Sequence, residues 1–233
     1  NHRRCEWHYR RHAHQKYFKK ITRYIQMMRL NAHKVFAAAS VSAAVLHITA
    51  VLIAGFLTPD YSLTQRAVSD LGIAGQPYAF LVNYFGFALP GVFILLAALS
   101  ANKLRLSSLP PKLGLRCMAC AGVFLIVAGF YPFPSLTHLT SALFSALSAS
   151  ISIFGFSVYT LRHKRSSILA VSGLIIAFLI LMDAAAWVLA ETQHIRAHNF
   201  MGLQQRIASF SAFVWFSAFA ISSARQRKAP KYP

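Results

Sequence analysis

Six stretches of the chain, residues 35–57, 78–101, 114–132, 139–161, 168–190 and 207–224, are apolar or nearly so, and short polar connections separate them. A helix rising about 1.5 Å per residue crosses a hydrocarbon core of about 30 Å in about 20 residues. In lipid such a run satisfies its own backbone only as a helix. The pattern therefore predicts an all-α polytopic membrane protein, a bundle of six transmembrane helices over residues 35–224. A basic segment, 1–34, precedes it and a basic tail, 225–233, follows.

Charge supplies the orientation. Of the 24 Lys and Arg residues, all but Arg66, Arg196 and Arg206 fall before the first run, in the second and fourth connections or, for Arg116, at the start of the third run, or after the last run. The positive-inside rule places those segments and both termini in the cytoplasm. Asp60, Asp70 and Glu191 lie in connections on the opposite, outer side, and Asp183 lies in the outer part of the fifth run; Glu6 alone shares the basic side. The net charge of +19 is thus an inner-face property, and its expected partners are the anionic headgroups of the inner leaflet. Nucleic acid is excluded as a partner, because no segment remains to fold into a module that would present the charge.

Within 1–34, Tyr17, Phe18, Ile21, Tyr24, Ile25 and Met28 fall on one helical face, with Lys19, Lys20, Arg23 and Arg29 on the other. The segment is either an amphipathic helix in the membrane interface or a solvated basic arm that sets topology. A cleaved signal does not fit, since the basic region is too long and a full span follows it.

Inside the bundle, Ser141, Ser145, Ser148 and Ser152 recur at helical spacing beside Ala142, Ala146 and Ala149. Such a stripe lets a second helix approach closely and bond across the contact. Pro90-Gly91 frees a backbone carbonyl and is expected to kink the second span. His47, midway through the first span, needs a polar partner and is expected to find a serine or a carbonyl on a neighbouring helix. Cys117 and Cys120 form a C-x-x-C without a second ligand pair, which reads as two small buried side chains.

Ionisable groups on the outer side are few: Asp60, Arg66, Asp70, His138, Asp183, Glu191, His194, Arg196, His198 and Arg206. Tyr61-Ser62, Ser69-Asp70-Leu71-Gly72, Asn83, Pro90-Gly91, Phe130-Tyr131-Pro132 with His138, and Gly202-Leu203-Gln204-Gln205-Arg206 together resemble the domain-of-unknown-function 998 family. Those proteins are prokaryotic and have six spans. The resemblance covers about residues 35–224 and implies architecture and a cytoplasmic-membrane location, not an activity.

Two functional classes follow. In the first, an outer pocket binds or transforms a lipid headgroup: Arg66 and Arg206 hold a phosphate with Ser69 and Asn83, while Asp70, His138 and Asp183 supply acid–base groups. Asp70, His138 and Arg206 are then expected to converge, and Asp183 to pair with Arg66, Arg206 or His138. In the second, the chain is a non-catalytic accessory subunit of a larger membrane complex, packing through its Ser/Ala and aromatic faces. No motif demands a cofactor. His138, His194 and His198, with Asp70 or Asp183, have the donor types of a zinc site. The bland alternative for Asp70 is an ion pair with Arg66 or Arg206 that closes the mouth of the bundle.

Overall fold

The computed structural model describes residues 31–102, 109–163, 166–193 and 200–225. They form six long helices: α1 (Asn31–Leu57), α2 (Leu81–Asn102), α3 (Leu109–Phe130), α4 (Leu136–Arg162), α5 (Ser167–Gln193) and α6 (Met201–Arg225). Each is long and apolar enough to cross a membrane, and no strand occurs among the described residues. The basic amino-terminal stretch through residue 30 lies outside them, as do His194, Arg196 and His198.

Two helices start five or more residues earlier than the apolar pattern suggests. Helix α3 begins at Leu109, because Pro110 and Pro111 occupy its first turn, where backbone N–H groups have no helical acceptor in any case. Helix α6 begins at Met201, because the charge of Arg206 is absorbed by carbonyls of the first connection. The expected disturbance at Pro90 takes a specific form. Residues Leu81–Ala88 are wound as a π-helix, and α-helical winding resumes over Leu89–Asn102. Proline lacks the N–H that would serve the carbonyl of Gly86 and its ring crowds that oxygen, so a wider turn precedes it.

Helix α3 packs between α2 and α4, α4 packs on α5, and α5 on α6. Gly91 and Gly122 mark the crossing of α2 and α3, where a Cβ on either would stand within 2.8 Å of the other's carbonyl oxygen. Helix α1 lies against α6, where Ser217 Oγ donates to the Ser40 carbonyl at 3.0 Å and Phe36 meets Phe219 edge-on. The serine stripe of α4 is used inside the bundle: Ser141, Ser145 and Ser152 are buried, and Ser145 Oγ donates to Ala121 O of α3 at 3.0 Å. Ser150, off the stripe, reaches Ala177 O of α5 at 2.8 Å. The cysteine expectation needs correcting, since Cys117 is half-buried while Cys120 is exposed on the bundle surface, both as free thiols.

The alternating helices gather the first, third and fifth connections at one end, here called the mouth. The other end carries Asn31 and Arg225.

Candidate site at the mouth of the bundle

Helix α1 stops ahead of Pro59, and Asp60 adopts a left-handed conformation, φ 55°, that turns the chain back toward α6. There the buried guanidinium of Arg206 organises the first connection. Its Nη1 donates to the carbonyls of Leu63 (2.8 Å), Arg66 (3.0 Å) and Gly202 (2.8 Å), and Nη2 donates to the Tyr61 hydroxyl at 2.5 Å. Tyr61 in turn donates toward the carbonyls of Arg66 and Ala67, at 3.0 and 2.6 Å. Burial pushes the Tyr61 hydroxyl above its ordinary pKa, with Arg206 opposing, so the phenol stays a donor.

The connection is sewn down at three further points. Leu203 N–H donates to Thr64 O at 2.9 Å, Val68 N–H to Gln205 Oε1 at 2.6 Å, and Asn83 Nδ2 to Gly72 O at 2.8 Å. The short 3-10 helix Val68–Gly72, which carries Ser69 and Asp70, is thereby fixed between α2 and α6. Gly202 is obligatory at this seam, since a Cβ there would overlap the Arg66 carbonyl oxygen. Gly202→Ala is expected to destabilise the protein by about 1–3 kcal/mol, readable as a lower melting temperature in detergent.

Both arginines of the expected phosphate clamp have partners within the chain. Arg206 is engaged by backbone and Tyr61, and Arg66 Nε pairs with Asp70 Oδ2 at 3.5 Å, as the ion-pair alternative anticipates. That pair is partly exposed, at 39% and 23%, so it contributes less than about 1 kcal/mol. Asn83 is also a positioning residue, its amide holding the end of the 3-10 helix.

Two of the buried histidines, His47 and His138, share one device. His47 Nδ1 lies 2.7 Å from Gly86 O, and His138 Nδ1 lies 2.8 Å from Ala128 O and 2.9 Å from Tyr131 O. Four residues beyond Gly86 stands Pro90, and four beyond Ala128 stands Pro132. Each histidine therefore serves a carbonyl whose α-helical donor a proline has removed. A carbonyl only accepts, so both rings carry the proton on Nδ1 and a lone pair on Nε2.

Two adjoining cavities open between the helices. One, of about 100 Å³, is bordered by Ser69, His138, Asp183, Trp187 and Gln205. The second, of about 150 Å³, is bordered by His47, Asp183 and Gln205 and then by apolar side chains such as Ile94, Ala149 and Phe216. Phe87, Ala142, Ala146, Asp183 and Gln205 border both. Helical rise puts His138 about 3 Å, Gln205 about 6 Å, and Asp183 and His47 each about 15 Å below the mouth ends of their helices. The polar lining of the two neighbouring cavities thus lies toward the mouth, and the deeper cavity is otherwise mostly apolar.

Asp183 overturns its expected pairing, because it makes no ion pair or hydrogen bond with the described residues. It borders the cavity instead of meeting Arg66, Arg206 or His138. The expected convergence is likewise divided into two groups. His138, Ser69 and Asp183 share the cavity; Arg66, Asp70 and Arg206 form the seam beside it. Among the described residues no Lys or Arg borders either cavity, and no cluster of three or more His, Cys, Asp or Glu could hold a metal ion. The zinc set with His194 and His198 extends beyond the described residues.

Tyr61 and Gln205 stand in the family motifs but not among the candidate site residues, and Trp187 in neither. Gln205 had a signal, one of two adjacent amides, Gln204 and Gln205, directly before Arg206. Because Val68 N–H fixes its oxygen, its NH₂ end is the one left for the cavity.

Six apolar helices, a sewn mouth and cavities between the helices define a six-span membrane protein. A family model described as "Protein of unknown function (DUF998)" matches residues 41–222, and the chain belongs to that family. No curated protein and no solved structure matches it.

Proposed function

We propose that the protein binds a membrane lipid by its headgroup, in the cavity between Ser69, His138, Asp183 and Gln205, with the apolar part of the lipid directed toward the mostly apolar lining of the deeper cavity. The observation that carries this reading is the shared lining of the two cavities, polar near the mouth and apolar below. A space of that composition suits an amphiphile better than either a wholly polar solute or a bare hydrocarbon. His138 offers the lone pair of Nε2 in a cavity that Asp183 also borders, so it is the candidate base if the bound head is also transformed.

The accessory-subunit alternative is weakened by the serine stripe of α4. Ser145 of that stripe bonds α3 within the same chain, and Ser141, Ser145 and Ser152 are buried in the bundle.

Ala146 borders both cavities, and a large side chain there fills the throat. Ala146→Phe is expected to abolish lipid retained through purification, as measured by native mass spectrometry, with the helical content of the wild type by circular dichroism. Retention of the same lipid at the same stoichiometry contradicts the site.

The mouth is proposed to face outward across the cytoplasmic membrane of a prokaryotic cell, on the distribution of Lys and Arg. In a background without native cysteines, His138→Cys is expected to react with an impermeant thiol reagent only after detergent opens the buried site. A Cys placed at exposed Asp60 is expected to react on intact cells, and one at His163 is not. The reverse pattern inverts the topology.

A further inference from the structure

We infer that the lipid head held in this cavity bears a hydroxyl that donates to Nε2 of His47. This rests on the lipid reading above and adds the chemistry of the head. The His47 ring is 2% exposed, and its Nε2 has no hydrogen-bond partner among the described residues. The tautomer is fixed by the Gly86 carbonyl at 2.7 Å, so Nε2 can only accept. Around the ring stand Phe87, Phe210 and Phe213, with centroids 6.2, 5.6 and 4.5 Å away, and none offers a donor. His47 borders the deeper cavity, so a partner for Nε2 comes through it. A buried acceptor left unpaired is costly, and the deficit specifies what is missing: a donor.

The remaining lining decides which donor. The hydroxyls of Ser145 and Ser209 donate to the carbonyls of Ala121 and Arg206, at 3.0 and 3.5 Å. Among the described residues no cation borders the cavity, while the carboxyl of Asp183 does. A phosphate would bring negative charge beside that carboxyl with nothing to neutralise it. Ester and ether oxygens only accept, and a trimethylammonium group has no N–H to give. A neutral hydroxyl meets both requirements, donating to Nε2 of His47 and bringing no negative charge beside Asp183.

The test compares two probes that differ by this one group, geranylgeraniol and its methyl ether, binding to the full chain in phosphatidylcholine nanodiscs, with tritiated alcohol as the tracer. The alcohol is expected to bind about 5- to 100-fold more tightly than the ether. His47→Phe is expected to bind the two equally. If that variant does not fold, the double variant His47→Phe/Pro90→Ala, in which residue 90 regains its N–H for Gly86, takes its place. Equal binding of both probes by the wild type, or full discrimination by the His47 variant, overturns the hydroxyl inference and leaves the lipid reading standing. Binding of neither probe also overturns it, and retained lipid in wild type against Ala146→Phe then shows separately whether the lipid reading fails with it.

Discussion

Arg206→Met is expected to lower stability by about 3 kcal/mol or more, or roughly 6–12 °C in melting temperature for a chain of this size. The side chain is 5% exposed and donates to three backbone carbonyls and the Tyr61 hydroxyl. Removing it leaves the carbonyls of Leu63 and Arg66 without that donor, at a seam joining residues more than 130 positions apart in sequence. Packing against the Tyr61 ring is lost too, since the guanidinium carbon lies 5.5 Å from its centroid. Arg206→Lys keeps the charge but not the planar fork, and is expected to recover less than half of the loss. Melting in detergent, followed by intrinsic fluorescence, measures both. A Met variant within about 2 °C of wild type would show that the seam does not hold the mouth.

The second large effect is a coupling. His47→Phe keeps an aromatic ring against Phe213 but leaves the Gly86 carbonyl without its side-chain donor, at an expected cost of about 1–3 kcal/mol. In a Pro90→Ala background the restored N–H can serve that carbonyl, so the same substitution is expected to cost about 1 kcal/mol less. The cycle of four proteins isolates this term. Strict additivity would mean that the histidine does not compensate for the proline.

How much of this was legible in the sequence depends on what each residue bonds. Six spans follow from run length and backbone satisfaction, and the structure has all six. The partner type of His47 was readable because a buried imidazole must find one, and the freed carbonyl at Pro90 was readable separately. That the two are the same pair was not, because nothing in the local pattern says which helix lies beside which. Arg206 looked like an anion site because its acceptors are backbone carbonyls of a distant connection, which carry no residue signature. Asp183 looked paired for the opposite reason. Desolvation alone demands a partner within the chain, but a carboxyl bordering a cavity can meet it through what the cavity holds. Gln205 was overlooked because its importance lies in bordering a space, which periodicity does not reveal. The starts of α3 and α6 were set by Pro110 and Pro111 in the first turn and by Arg206, and apolar run length registers neither.

The most direct test of the lipid site is an experimental density map of the protein in lipid, examined between Phe87, Ala146, Asp183 and Gln205. The expected result is one elongated density running from beside His138, past Asp183 and His47, down to Ile94 and Phe216. An empty space, or isolated water peaks with no connected density, would contradict the lipid site.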